Sequence, residues 1–152
     1  MTETSPQSVT PSLSYRDPRA AIDWLEKAFG FERAFVVVDD AGAVGHAELR
    51  HGDGVIMLGG EWSDDIRSPA TLGGKTTQVI SVTLAAGIDA HCAKARAAGA
   101  HILQDPEEQF YGARTYRARD PEGHIWTFRQ NTRALSIAEM EKASGLKFEM
   151  PR

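Results

Sequence analysis

His46 and Glu48 stand two residues apart, so on a strand both side chains leave the same face. An imidazole and a carboxylate at that spacing suit general acid–base work or half of a divalent-metal site. They equally suit a plainer role, as polar side chains facing a wet cavity and bonded across it to Arg117 or Arg129. Those two arginines carry planar forks that would clamp an anionic or carbonyl-bearing ligand, or simply balance Glu48. Ser12, Ser14 and Thr127 add hydroxyl groups, and Trp62, in a loop after a strand, offers a stacking wall for a flat ligand. Phe110 and Tyr111 occupy a comparable loop and serve as well to close a core. His124 follows a turn and reads as a structural partner of Asp120, while His91 and His101 read as solvent-exposed. Cys92 lies on the Ile88/Cys92/Ala95 stripe of a helix, a place for a small buried hydrophobe, and a lone cysteine excludes an internal disulfide.

The elements that must position these residues are written twice. Moved by 69 positions, residues 12–60 fall on residues 81–129 without a gap: Ser12 on Ser81, Ala28 on Ala97, Gly30 on Gly99, Arg50 on Arg119 and Gly54 on Gly123. A repeat of this length is one supersecondary unit that needs its copy to cover its apolar face. In the first copy Leu13 and Tyr15 alternate with Ser12 and Ser14 as in a half-buried strand. Asp17 and Pro18 then open a helix with the stripe Ile22, Leu25, Ala28 and Phe29, and Gly30 closes it. A strand over 33–39 and a hairpin of 44–50 with 55–60 complete a strand-helix-strand-strand-strand unit. The second copy repeats the order with 79–84, a helix over 88–98, 101–104, and the hairpin 115–119 with 124–129. The predicted class is α+β, two tandem βαβββ modules whose curved mixed sheets form a concave cavity.

Parity assigns the faces. A glycine-closed three-residue loop after Asp120 pairs Asp120 with His124, sets Arg117 opposite Thr127 and Thr115 opposite Arg129, and sends Tyr116, Ala118, Trp126 and Phe128 to the helix side. The same count about Gly52-Asp53-Gly54 sets Glu48 opposite Leu58. It predicts Ala47, Leu49 and Met57 on the helix side and His46, Glu48 and Ile56 in the concavity, together with Thr10, Ser12, Ser14, Val79, Ser81 and Thr83. Around these modules, residues 1–9 read as a flexible tail, 10–130 as one domain with modules at 10–60 and 79–129, 61–77 as a linker, and 131–152 as a helical arm opened by the Ser136/Glu139 capping box and closed by Gly145.

The net charge of −4 in 152 residues offers no basic stripe for phosphates, which argues against a nucleic-acid partner. No run approaches the ~18 apolar residues of a membrane span, and the polar start lacks a secretory pattern, so a cytoplasmic location without membrane association is expected.

The segments AIDWLEKAFGFE, AHCAKARAAGA and YGARTYRARDPEGHIWTF, in their places in the two units, resemble the vicinal oxygen chelate superfamily, the glyoxalase, bleomycin-resistance and extradiol dioxygenase group, over residues 9–130. The resemblance implies four metal positions, on the first and fourth strands of each unit, held in the family's enzymes by His, Glu or Gln. Carried over by the spacing to Gly30, Gly54, Gly99 and Gly123, they fall on Thr10, Leu58, Val79 and Thr127. Two hydroxyls and two aliphatic side chains cannot supply the donors a divalent ion needs, and a one-residue slip offers only Gln78. The expectation is therefore no metal, no cofactor and no catalytic residue. The chain then resembles the metal-free bleomycin-resistance members, which sequester a small molecule, here an antibiotic or a metabolite bound by Ser12, Ser14, His46, Glu48, Trp62, Arg117, Thr127 and Arg129. The alternative is a lyase, isomerase or dioxygenase-type enzyme using His46 and Glu48 as acid–base groups or in a displaced metal site; a regulatory role for the arm is a third. A homodimer is expected from the need to shelter the polar face, with the linker and the arm free to cross and Trp62 and Leu135 as apolar anchors.

Overall fold

The computed structural model describes residues 7–152. Residues 1–6 of the expected tail lie outside that range; within it, the Gln7 side chain bonds both backbone groups of Val55 (2.9 Å each). The first module runs β1 (Ser12–Ser14), α1 (Pro18–Phe29), β2 (Glu32–Val38), β3 (Val44–His51) and β4 (Gly54–Gly59). The second runs β5 (Val79–Leu84), α2 (Ile88–Ala97), β6 (His101–Glu108), β7 (Ala113–Arg119) and β8 (Ile125–Asn131), and α3 (Ile137–Ser144) follows. Each module makes one mixed sheet, ordered β1-β4-β3-β2 and β5-β8-β7-β6, with the first pair of each parallel. No helix among the described residues is long and apolar enough to cross a membrane.

Local chemistry sets the boundaries. Asp17 accepts a hydrogen bond from Ala20 N at 3.0 Å, Pro18 stands where a missing N–H costs nothing, and Gly30 ends α1 in the left-handed region at φ 78°. Gly87 cannot cap α2 with a side chain, and Gln130 Oε1 on β8 does so instead, accepting from Ile88 N at 3.0 Å. Ser136 and Glu139 form the expected capping box of α3, and Gly145 closes it at φ 74°.

The second hairpin follows the parity count: Thr115 pairs with Arg129, Arg117 with Thr127, and Asp120 N donates to His124 O at 3.0 Å. The first does not. Its loop holds only Gly52 and Asp53, with Gly52 at φ 58° and Asp53 not positive, the II′ pattern that suits a two-residue hairpin. His51 therefore pairs with Gly54 and Glu48 with Met57, not Leu58. Relative to expectation β4 is turned over: Ile56 and Leu58 are buried on the helix side with Ala47 and Leu49, and Met57 shares the concave face with His46 and Glu48. From β4 onward the structural repeat is offset by 70 residues, so Met57 matches Thr127 and Gly59 matches Arg129.

Both helix-side faces converge on one core. Phe29, at the end of α1, packs its ring 4.7 Å from Phe128 and 5.5 Å from Trp126, and Phe31 lies 5.5 Å from Trp126. Cys92 is buried in that core, and burial pushes its thiol up, away from nucleophilic chemistry. Two polar contacts join the modules through it. Trp24 Nε1 donates to Ala98 O at 2.8 Å. His91 is not solvent-exposed as its helix position suggested: its Nε2 donates to Phe29 O at 2.9 Å, and its Nδ1 accepts from the Tyr116 hydroxyl at 2.5 Å. Burial, outweighing the pull of the Phe29 carbonyl, lowers the His91 pKa, and it lowers that of neighbouring His51 likewise.

Candidate functional site

The concave face of the first sheet holds a cavity of about 590 Å³. β1 contributes Ser12 and Ser14 to its wall, β3 contributes His46, and the linker from Trp62 to Gln78 closes over it. The hollow exists because the side chains beneath it are missing. A Cβ on Gly59 would meet Gly45 O at 3.0 Å, whereas the matching position of the second sheet carries Arg129. Ser14 spends its hydroxyl proton on Gly60 O at 2.8 Å, Ser12 is exposed, and the His46 ring stands 5.9 Å from Phe35. Trp62, 77% exposed, stands at the rim. Phe35 and Val37 on β2 pair with Glu48 and His46, so this face is more apolar than the sequence suggested.

The linker is an ordered cover. Ser68 is fully buried, donates its hydroxyl to Glu122 Oε1 at 2.6 Å, and donates its backbone N–H to Glu61 Oε2 at 3.0 Å. The same Glu122 carboxylate accepts from the backbone N of Arg16 (2.6 Å) and Asp17 (3.0 Å), so one side chain of the second module pins both the linker and the end of β1. Arg119 Nη1 holds the linker again at Gly74 O, 2.9 Å away.

Behind the wall lies a buried polar hub. Asp120, 5% exposed, accepts at Oδ2 from the Tyr15 hydroxyl (2.6 Å) and Trp126 Nε1 (3.2 Å), and at Oδ1 from the backbone N of Glu122 (3.1 Å) and His124 (3.0 Å). Burial pushes the Asp120 carboxyl up while its donors, Tyr15 foremost, pull it down; burial and the Asp120 charge push the Tyr15 phenol up. His124 Nε2 donates to Ser14 O at 2.8 Å, joining this hub to the cavity wall. The turn chemistry foretold His124 and Asp120. Tyr15 and Trp126 are legible in the sequence only as core residues: the partner of Tyr15 lies in the other module, and that of Trp126 across its own hairpin.

Of the eight expected ligand-binding residues, the cavity brings together Ser12, Ser14, His46 and Trp62. Glu48 shares their sheet face but not the cavity wall, so His46 stands there without its carboxylate neighbour. Arg117, Thr127 and Arg129 lie on the second sheet, whose helix side backs the same core, and they do not face His46 or Glu48 within one chain.

The four metal positions implied by resemblance become, with β4 in its observed register, Thr10, Met57, Val79 and Thr127. A thioether, two hydroxyls and an isopropyl group do not fit a divalent ion held elsewhere in such folds by imidazole and carboxylate. Among the described residues no group of three or more His, Cys, Asp or Glu is placed to hold one.

The sequence profile of the Glyoxalase/Bleomycin resistance protein/Dioxygenase superfamily matches residues 8–128. The chain belongs to that superfamily. An uncharacterized protein of Mycobacterium bovis is 31% identical over 144 residues, covering 90% of this chain and 91% of its own. TioX from Micromonospora sp. ML1 is similar in structure at a TM-score of 0.65 and 32% identity, over 86% of this chain and all (100%) of TioX. A glyoxalase/bleomycin resistance protein/dioxygenase from Nocardioides shares the fold at a TM-score of 0.60 and 16% identity, over 89% of this chain and 90% of that one.

Proposed function

We propose that this superfamily member is a metal-independent small-molecule binding protein of the cytoplasm that sequesters an antibiotic or a metabolite. The hollow of about 590 Å³ carries the reading: it has the size of a small-ligand site, a rim tryptophan, a mixed wall in which Leu58, Ile66 and Leu72 stand beside His46, Arg67 and Lys75, and an anchored cover. The donor chemistry at the family's metal positions supports binding without a metal.

The other half of the site comes from a twofold partner. Glu48 and Arg117 are repeat equivalents of opposite charge, each on the concave face of its own sheet. A homodimer that sets the first sheet of one copy against the second sheet of the other brings these two faces of opposite charge together and adds Arg117, Thr127 and Arg129 to the hollow as its far wall. Exposed Phe35, Val37, Val79 and Leu103 on the two sheets support such a contact. Calorimetry with bleomycin-type and aromatic antibiotics, run beside metal analysis and light scattering, tests the reading. Saturable binding by a metal-free dimer is expected; turnover of a substrate dependent on stoichiometric metal, without antibiotic binding, would replace it with the enzyme alternative.

A further inference from the structure

On the second sheet Thr115 pairs with Arg129 and Arg117 with Thr127, so four side chains form a square on the face turned from the core. The arginines occupy one diagonal and the threonines the other, with directly opposed Cβ atoms ~5 Å apart. The hydrogen-bond accounting of this square is lopsided. Thr115 is 3% exposed, and its Oγ1 accepts from Gln104 Nε2 (3.2 Å) and Gln109 Nε2 (3.0 Å). Both amides are fixed as donors by second acceptors, Thr115 O at 3.2 Å and Glu107 Oε1 at 3.3 Å. The Thr115 hydroxyl proton thus has no acceptor among the described residues. Thr127 repeats the pattern, accepting from Arg117 Nε at 3.3 Å with its own proton uncommitted. Arg129 gives Nη2 to Asn131 Oδ1 at 2.8 Å and lies 5.4 Å above the Tyr111 ring, which leaves its other N–H groups unused.

Charge is lopsided too. Arg33, Arg67, Arg96 and Arg114 are each held by a carboxylate; Arg117 and Arg129 are among the eight arginines with none within 4.0 Å among the described residues, and these two share one sheet face on the diagonal of the square. Glu107, opposite Thr115 on β6, is turned to Gln109. A face that offers two guanidinium groups and two hydroxyl protons, and no charged acceptor of its own within reach of the guanidiniums, is complementary to an oxyanion.

We propose that Arg117, Arg129, Thr115 and Thr127 form an oxyanion subsite that takes a carboxylate or phosphoryl group of the ligand. The inference rests on the binding function above and names the charge that the ligand carries. In the homodimer proposed above, the hollow of one copy would hold the body of such a molecule and the square of the other its acidic end.

The test titrates the full chain, followed by residue-resolved NMR, with benzoate, its neutral isostere benzamide, and inorganic phosphate. Benzoate is expected to saturate with shifts centred on residues 115–129 and to bind at least about tenfold tighter than benzamide. Arg117→Ala and Arg129→Ala each weaken benzoate about tenfold, Arg129→Lys restores only part because the fork is lost, and Thr115→Val weakens it a few-fold, roughly one hydrogen bond. Benzoate binding without phosphate assigns a carboxylate; phosphate without benzoate assigns a phosphoryl group. Equal affinity for benzoate and benzamide, or unchanged anion binding in the double variant Arg117→Ala/Arg129→Ala, overturns the subsite. Antibiotic binding that is lost in Trp62→Ala yet indifferent to ligand charge refutes the subsite alone, and absence of binding by every probe and antibiotic removes the binding function with it.

Discussion

Replacing Asp120 by alanine removes the most buried carboxylate acceptor joining the modules at the back of the cavity. Four donors converge on its two oxygens, two from side chains of different modules and two from the turn backbone. In Asp120→Ala the Tyr15 hydroxyl and the Trp126 indole N–H stay buried without an acceptor, each costing about 1–3 kcal/mol, while the half-buried Glu122 amide costs less. The total is about 4 kcal/mol. For a chain of this length, at about 2–4 °C per kcal/mol, the melting temperature falls by roughly 8–16 °C. Asp120→Asn keeps one oxygen acceptor and loses about half as much, and Tyr15→Phe, which leaves Asp120 its other donors, costs about 1–2 kcal/mol. Urea unfolding followed by tryptophan fluorescence reads all three, and the double variant Tyr15→Phe/Asp120→Ala reads their coupling. An Asp120→Ala protein within about 1 kcal/mol of the parent would refute the hub as a structural tie.

Three further outcomes follow from the same contacts. Burial depresses the pKa of His51 and His91, so below the ordinary histidine value the unfolded chain binds more protons than the folded one. Stability is then complete above that value and is lost as the pH falls through it towards the folded-state pKa; urea midpoints at pH 8 and pH 5 should differ in that direction, less so in His91→Gln, and a flat profile contradicts the junction. Trp62→Ala should leave unfolding within about 0.5 kcal/mol, since the ring is 77% exposed, while weakening ligand binding about tenfold in calorimetry. Gly59→Val drives a side chain to 3.0 Å from Gly45 O and into the hollow, so it should cost about 1–3 kcal/mol by urea titration and abolish binding.

Much of this architecture is legible in the chain because the signals are local. Asp17-Pro18 and Gly30 bound α1, Ser136 and Glu139 open α3, and the Asp120–His124 turn fixes the faces of β7 and β8. β4 was misread for a reason visible in two residues. Gly54 aligns with Gly123 in sequence, but Gly123 closes a three-residue loop at φ 100°, whereas Gly54 is already the first residue of its strand. A gapless sequence repeat thus hides a one-residue structural offset, which moves Leu58 into the core and Met57 onto the open face. The placement of the two arginines was beyond periodicity for another reason. Period 2 tells which face a side chain leaves, and it does not tell whether two sheets confront each other or back onto a common core. Here the packing of Phe29 and Phe31 against Trp126 and Phe128 decides for the common core. His91 escaped for the same reason, since its partners Phe29 and Tyr116 lie far away in sequence.

The central claim is that the hollow binds a small molecule without a metal, and titration calorimetry of the chelator-stripped full chain with an aromatic antibiotic panel tests it most directly. The account predicts saturable heat with at least one ligand, unchanged when Zn, Ni, Mn or Fe is restored and lost in Gly59→Val. Binding that appears only after metal is restored, or heat that persists undiminished in Gly59→Val, would contradict it.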